Sequence, residues 1–254
     1  MSEIPNVLSL EGRVAVVTGA GRGIGAATAR ELSRAGAHVA LLDRDAAGVT
    51  RTAEAIGIEG REALAFTNDI TDSFAVERTL DRVVDEWGRL DILVNNAGVL
   101  REASLTELTD EDLEESLDIN LRGALVCTRA AVPHMLALGS GRILSATSMS
   151  TRIGAVGLTA YAASKAAVVG MTRTWARELG PQGIAANAVA PGLIDSETTS
   201  TVPAGELEAT LRRLPARRLG QPEEVASVYV FLASDLASFI NGAVVGVDGG
   251  LHLV

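Results

Sequence analysis

The sequence predicts an α/β fold, a doubly wound parallel sheet with helices on both faces. Two observations predict it. Short apolar runs alternate with longer helical periods along the chain, and a glycine cluster joins the first run to the first helix. Strands that alternate with helices need crossover connections, which are right-handed and place the strands parallel. The residues are 47% hydrophobic and only 3% aromatic, a mixture that suits helices packed closely on a buried aliphatic sheet.

The first half of the chain follows this alternation. A strand at residues 13–18 precedes the glycine cluster at 19–25, and a helix over about 24–35 ends at Gly36, a typical C-cap residue. Strands are predicted at 39–42, 63–66 and 92–94, with a helix at 73–87 between the last two.

The second half continues with a helix over 110–138, a strand at 142–146, a helix over 160–179 and a strand at 185–189. A further helix opens at Pro222, because proline in a first turn followed by Glu223 and Glu224 is a strong start signal. A last strand at 243–247 closes the sheet. We expect one domain over residues 1–254, with a small substrate lid at about 196–215.

Charge and composition exclude several classes of partner. The 22 Lys and Arg residues against 32 Asp and Glu residues give a formal net charge of −10, which repels nucleic acid and anionic lipid. No apolar stretch is long enough to span a membrane, and the first residues do not resemble a signal peptide. We therefore expect a soluble, cytoplasmic protein. The single Cys127 and three scattered histidines predict neither a disulfide nor a metal site.

The glycine cluster at residues 19–25 predicts a dinucleotide site. It lies between a strand and a helix, so its backbone can approach a pyrophosphate while the helix N-terminus supplies free N–H groups. Asp43 ends the second strand, where a carboxylate can accept hydrogen bonds from the adenosine ribose. This is the arrangement of Rossmann-type folds. Asp43 favours NAD over NADP, but Arg22 and Arg44 stand nearby and could hold a 2′-phosphate, so NADP stays possible.

Several ordered motifs resemble the classical short-chain dehydrogenase/reductase family over nearly the whole chain. They are T-G-x-x-x-G-I-G at 18–25, N-N-A-G at 95–98, Y-x-x-x-K at 161–165, Pro191-Gly192, and V-D-G-G at 247–250. The resemblance implies a nicotinamide-dependent oxidoreductase. It also assigns the cofactor contacts to Gly19, Gly21, Arg22, Gly23, Ile24, Gly25, Asp43, Arg44, Asp69, Ile70, Asn95, Ala97, Gly98, Tyr161, Lys165, Pro191, Gly192, Ile194 and Ser196.

Tyr161 and Lys165 are the candidate catalytic pair. They stand four positions apart, so they share one face of a helix. An ammonium beside the phenol, together with the positive nicotinamide ring, is expected to lower the pKa of Tyr161 so that it acts as general acid/base. The resemblance adds Ser148, which would bind the substrate oxygen, and Asn120, which would interrupt a helix and hold a water against Lys165.

The substrate is predicted only by class. Ser148, Ser150, Tyr161 and Leu193 are the candidate substrate contacts, and they suit a secondary alcohol or ketone such as a sugar, a polyol or a small ketone. An alternative is an NADPH-dependent 3-oxoacyl-[acyl-carrier-protein] reductase, which residues 196–220 resemble. Such enzymes tend to carry basic residues near the positions of Gly139 and Gln182, which are uncharged here.

Two further expectations concern activity and assembly. A dinucleotide-binding protein without catalysis is the remaining alternative, but it would need to lack some of the catalytic side chains that this chain has. The segments 121–138, 160–170 and 231–246 resemble the contact surfaces of the family's homotetramers, so we expect a homotetramer.

Overall fold

The computed structural model describes residues 8–196, 199 and 204–253. Its centre is a seven-stranded sheet in the order β3-β2-β1-β4-β5-β6-β7, and every neighbouring pair is parallel. The strands are β1 (Val14–Thr18), β2 (His38–Asp43), β3 (Ala63–Thr67), β4 (Ile92–Asn95), β5 (Gly141–Ala146), β6 (Ile184–Pro191) and β7 (Val244–Val247). All residues of β1 and β4 are buried, as a sheet covered on both faces requires.

Helices cover both faces of the sheet, as predicted. They are α1 (Gly23–Arg34), α2 (Ala46–Ile58), α3 (Ser73–Trp87), α4 (Asp110–Leu117), α5 (Gly123–Leu138), α6 (Ser150–Ile153), α7 (Thr159–Leu179), α8 (Ala204–Arg213) and α9 (Pro222–Ala233). Residues of α1, α2 and α9 contribute to one hydrophobic core cluster, and residues of α3, α5 and α7 contribute to the other. The doubly wound architecture is confirmed.

One helix was missed by the sequence analysis, and one helical expectation was wrong. The sequence does not predict α2, because its buried residues Gly48, Val49, Thr52 and Ile56 form only a narrow, partly polar stripe. The predicted helix over 110–138 is two helices, α4 and α5, separated by a π-helical turn at Asp118–Arg122. The π-helical turn accommodates one extra residue, and the side chain of Asn120 within it is buried. The resemblance, but not the periodicity, implied this interruption.

The topology fixes where a ligand can bind. The connection from β1 leads to β2 on one side, while β4 lies on the other side of β1, so the strand order reverses between β1 and β4. In such sheets the crevice at the carboxyl ends of the two strands is the usual ligand site. Of the predicted lid at 196–215, residues 197, 198 and 200–203 lie outside the described residues, and α8 belongs to the remainder.

Candidate active site

The glycine loop turns sharply from β1 into α1. Gly19 has a φ of +66°, and a Cβ there would lie 2.7 Å from the Cα of Ala97. A Cβ at Gly25 would overlap the carbonyl oxygen of Gly19, so glycine is required at both positions. Gly23 also has a positive φ, +53°, but open space lies beside it. The first turn of α1 receives no side-chain cap from its N-cap residue, and its N–H groups can receive an anion.

This loop borders a cavity of about 500 Å³. The cavity is the crevice expected between β1 and β4, and most of the predicted cofactor residues line it. They are Gly19, Arg22, Gly23, Ile24, Gly25, Asp43, Arg44, Asp69, Ile70, Ala97, Gly98 and Ser196. Glycine backbone, a helix N-terminus and charged side chains at its rim are a donor set that fits a dinucleotide.

The remaining predicted cofactor residues do not line this cavity. Asn95 is buried, and its Nδ2 donates to Thr128 Oγ1 on α5 at 2.9 Å, so its side chain supports the sheet. Ile194, together with the predicted substrate contact Leu193, lines a separate cavity of about 70 Å³ beside Leu214. The others outside the lining are Gly21, Tyr161, Lys165, Pro191 and Gly192.

Asp43 connects the end of β2 to the glycine loop. Its carboxylate accepts the N–H of Gly21 at 2.9 Å and the N–H of Asp45 at 3.0 Å. The same carboxylate borders the cavity, where Arg22 and Arg44 are also found. Asp43 is therefore part of the loop's architecture as well as a charge at the cavity wall.

Asp69 lines the same cavity and follows β3. Its Oδ1 accepts hydrogen bonds from the N–H and the hydroxyl of Thr71, at 2.9 and 2.8 Å. These two bonds lower the pKa of Asp69, the backbone bond first, so the group is ionised.

Ser148 follows β5 and meets Ser150 at the start of α6. Its Oγ accepts two hydrogen bonds from Ser150, from the backbone N–H at 3.1 Å and from the hydroxyl at 3.0 Å. Tyr161 lies in the first turn of α7 and is half-buried. Burial raises the pKa of Tyr161, and a hydrogen bond with Ser148 opposes that rise.

Lys165 lies one helical turn after Tyr161 and is only 4% exposed. Its Nζ donates to the carbonyl oxygen of Ala146 at 3.0 Å and lies 5.8 Å from the centroid of the Tyr161 ring. Burial lowers the pKa of Lys165 to about 8. Lys165 is not among the causes that set this direction for the chain without cofactor, and the lowering of the Tyr161 pKa by Lys165 together with the nicotinamide ring stays a prediction.

Asn120 is held in the π-helical turn by three hydrogen bonds. Its Oδ1 accepts the N–H of Val99 at 2.7 Å, and its Nδ2 donates to the carbonyl oxygen of Val99 and to Ser164 Oγ, each at 2.9 Å. Ser164 in turn donates to the carbonyl oxygen of Tyr161 at 2.8 Å. Every polar atom of the Asn120 amide is thus used to join the segment after β4, the π-helical turn and α7.

Gly98 lies where Asn120 and Lys165 approach the cavity. A Cβ at Gly98 would lie 2.9 Å from Asn120 Oδ1 and 3.2 Å from Lys165 Nζ. The four candidate catalytic residues come from three stretches of the chain, and hydrogen bonds and close contacts bring them to the carboxyl edge of the sheet beside the cavity. In the described residues, no group of His, Cys, Asp and Glu side chains is arranged to hold a metal ion.

Comparison with known proteins identifies the family. A family model described as enoyl-(acyl carrier protein) reductase matches residues 19–252. The chain belongs to the short-chain dehydrogenase/reductase family. Among the members of this family, a 3-oxoacyl-[acyl-carrier-protein] reductase of Thermotoga maritima is 41% identical over 96% of this chain and 99% of its own length.

Other similar members of the short-chain dehydrogenase/reductase family are described by different substrates. A cis-4-hydroxycyclohexanecarboxylate dehydrogenase of Sinomonas cyclohexanicum is 43% identical over 95% of this chain and 97% of its own length. A solved structure of a putative NAD(P)-dependent gluconate 5-dehydrogenase from Beutenbergia cavernae, with bound NADP, is 41% identical with a TM-score of 0.92. That comparison covers 98% of this chain and 100% of the other. The chain is therefore an oxidoreductase of this family.

Sequence reasoning missed two residues of this site. Ser164 lies inside the Y-x-x-x-K motif and holds Asn120, but a serine between two alanine-rich helical segments carries no signal of that contact. Asn96 donates from its Nδ2 to the carbonyl oxygens of Thr18 and Gly19, at 3.1 and 3.2 Å, and so fixes the glycine loop. Its place in the N-N-A-G motif was the available signal.

Proposed function

We propose that the protein transfers a hydride between NAD(H) and a secondary alcohol or ketone of the sugar, polyol or small-ketone class, with Tyr161 as general acid/base. The observation that carries this proposal is the convergence of Tyr161, Ser148 and Lys165 beside a glycine-lined cavity that suits a dinucleotide. The bound nicotinamide would accept hydride in oxidation and supply it in reduction.

Each protein group has a separate part in the proposed chemistry. In oxidation Tyr161 takes the proton of the substrate hydroxyl, and in reduction it returns a proton to the carbonyl oxygen. The Ser148 hydroxyl donates a hydrogen bond to the same oxygen and stabilises the charge that develops there. The Lys165 ammonium adds positive charge close to Tyr161, and Asn120 fixes the π-helical turn beside it.

The cofactor would be held by the glycine loop, with the pyrophosphate against the N-terminus of α1. We propose a preference for NAD, because the Asp43 carboxylate borders the part of the cavity where the adenosine ribose would lie and would repel a 2′-phosphate. The NADP in the Beutenbergia structure and the two arginines at the rim, Arg22 and Arg44, support NADP as the alternative.

A second candidate function is reduction of 3-oxoacyl groups on an acyl carrier protein. The 41% identity to the Thermotoga reductase favours it. The formal net charge of −10 and the uncharged Gly139 and Gln182 disfavour docking of an acidic carrier. Identity to the hydroxycyclohexanecarboxylate and gluconate dehydrogenases supports the small-substrate proposal.

The proposal is tested with a panel of alcohols, ketones and a 3-oxoacyl carrier protein, followed by nicotinamide absorbance with each cofactor. On the best substrate, Tyr161→Phe should lower kcat by roughly 10²- to 10⁴-fold, the usual contribution of a general acid/base. Cofactor affinity should stay nearly unchanged, because the ring and its packing are kept. Binding is measured by fluorescence titration with the reduced cofactor.

The chain offers a matched control, because its 2 tyrosines differ in environment. Tyr229 in α9 is fully buried, and its hydroxyl has no hydrogen-bond partner among the described residues. Tyr229→Phe removes the same atom without touching the proposed chemistry, so its turnover should equal that of the unaltered protein. Wild-type rates in Tyr161→Phe would contradict the proposed role.

A further inference from the structure

The contact between Ser150 and Ser148 uses up the acceptor capacity of Ser148. A serine hydroxyl has one proton to donate and two lone pairs that accept. Both lone pairs of Ser148 Oγ receive hydrogen bonds from Ser150, one from its backbone N–H and one from its hydroxyl. Only the hydroxyl proton of Ser148 is left to form a further hydrogen bond.

The surroundings keep this arrangement in place. Ser150 is only 9% exposed and begins the short helix α6, directly after the turn that carries Ser148. The hydroxyl of Thr151 donates to the backbone carbonyl of Ser148 at 2.8 Å, which fixes the main chain of the same turn. Ser150 therefore has little access to a substrate, although its residue type and position suggested a substrate contact.

We infer that Ser150 is a positioning residue that restricts Ser148 to hydrogen-bond donation, with its one proton directed to either the substrate oxygen or Tyr161. This inference rests on the proposed function and names a further residue of the same site. Hydrogen bonds in series polarise one another, so donation from Ser150 to Ser148 strengthens donation from Ser148 onward. Oxidation needs the Tyr161 phenolate and reduction needs a polarised carbonyl, and a donating Ser148 favours both.

The inference predicts a particular kinetic pattern for Ser150→Ala. Since a net hydrogen bond is worth about 1 kcal/mol and about 1.4 kcal/mol is tenfold in rate, kcat should fall roughly five- to tenfold. The KM of the alcohol or ketone should change less than about twofold, because the lost bond acts on the reacting state. The pH at which oxidation reaches half its maximal rate should rise, because a weaker bond from Ser148 favours the protonated phenol.

Thr151→Val is the matched control. It removes a neighbouring hydroxyl that contacts the backbone of Ser148 instead of its Oγ. Because this variant loosens the turn without removing a hydrogen bond to the Ser148 Oγ, its pH profile should shift less than that of Ser150→Ala. A double-mutant cycle then tests whether Ser150 acts through Ser148: in a Ser148→Ala background, Ser150→Ala should cause no further loss of kcat. Circular dichroism of each variant checks that the fold is kept.

The outcomes separate this inference from the proposed function. No turnover by the unaltered protein on any substrate of the panel would overturn the proposed function. Turnover that is unaffected by Ser150→Ala, in rate and in pH profile, would overturn only the positioning role. A raised KM with unchanged kcat would make Ser150 a substrate contact, and an equal loss of kcat in the Ser148→Ala background would show that it does not act through Ser148.

Discussion

Lys165 occupies the least favourable environment for a charge among the residues of the candidate site. The side chain is 4% exposed, and the bond that the structure shows for its ammonium is the one to the carbonyl oxygen of Ala146. Burial in low dielectric disfavours the charged form, which is why its pKa falls to about 8 from the ordinary 10.5. It is also the only lysine of the chain, since every other basic side chain apart from histidine is arginine. A titration between those two pH values therefore reports on one lysine.

The buried ammonium of Lys165 makes the stability of the folded chain depend on pH. Between pH 8 and 10.5 the unfolded chain binds more protons at Lys165 than the folded chain does, so the contribution of Lys165 to the free energy of unfolding rises with pH. The whole step amounts to roughly 3 kcal/mol, since one pKa unit corresponds to about 1.4 kcal/mol. Below pH 8 the destabilisation is fully present. Lys165→Met should remove this rise while keeping a side chain of similar length.

Urea unfolding at pH 7 and pH 10 measures the effect. Stability of the unaltered protein, taken relative to Lys165→Met, should increase at the higher pH by about 2 kcal/mol, most of the predicted step. If the difference in the free energy of unfolding between the two proteins is the same at both pH values, Lys165 keeps an ordinary pKa. Arg177→Met on the same helix is the control, because arginine stays charged over this range and Arg177 is exposed.

The elements show which parts of the fold the sequence predicts. β1 and β4 were predicted because their buried runs are short, apolar and bounded by turn residues. The π-helical turn was not predicted from periodicity, because the bonds of Asn120 to Val99 and Ser164 connect distant parts of the chain. The helix α2 was missed because its contact with the core is narrow. Local patterns predicted the sheet, whereas tertiary contacts decide the details near the site.

The junction of β2 with the glycine loop leads to a prediction about cofactor choice. Asp43 carries a negative charge at the cavity wall and also accepts the Gly21 N–H, and these two effects can be separated. Asp43→Asn keeps an acceptor for Gly21 but loses the charge that would repel a 2′-phosphate. It should reduce the ratio of kcat/KM with NAD to kcat/KM with NADP by roughly tenfold, which is about 1.4 kcal/mol.

Asp43→Ala removes the acceptor as well as the charge. The glycine loop then loses its tie to β2, so Asp43→Ala should bind both cofactors more weakly than Asp43→Asn while showing a similar preference between them. Steady-state kinetics with each cofactor measures both effects. An unaltered enzyme that already prefers NADP would contradict the assigned role of Asp43.

The whole molecule exposes apolar surface at two places that the family resemblance associates with assembly. On α5, Leu125, Leu136 and Leu138 are exposed. At one edge of the sheet, β7 pairs only with β6 among the described strands, and Phe239 in the segment before it is fully exposed. Monomeric proteins seldom leave such surfaces uncovered, and an open sheet edge is itself a site for pairing.

No helix in the described part of the chain is long and apolar enough to cross a membrane.

We expect these surfaces to pair in a homotetramer, and Phe239 allows a direct test. A large aromatic side chain at the centre of an interface typically contributes 2 kcal/mol or more, so Phe239→Ser should weaken that contact by roughly 30-fold or more. Phe74→Ser is the control, because Phe74 is also exposed but lies on α3, outside the segments that the resemblance assigns to assembly. Sedimentation velocity should show a tetramer for the unaltered protein and for Phe74→Ser, and smaller species for Phe239→Ser at micromolar concentration. A monomeric unaltered protein, or a Phe239→Ser variant that stays as tetrameric as the control, would contradict the assignment of this surface.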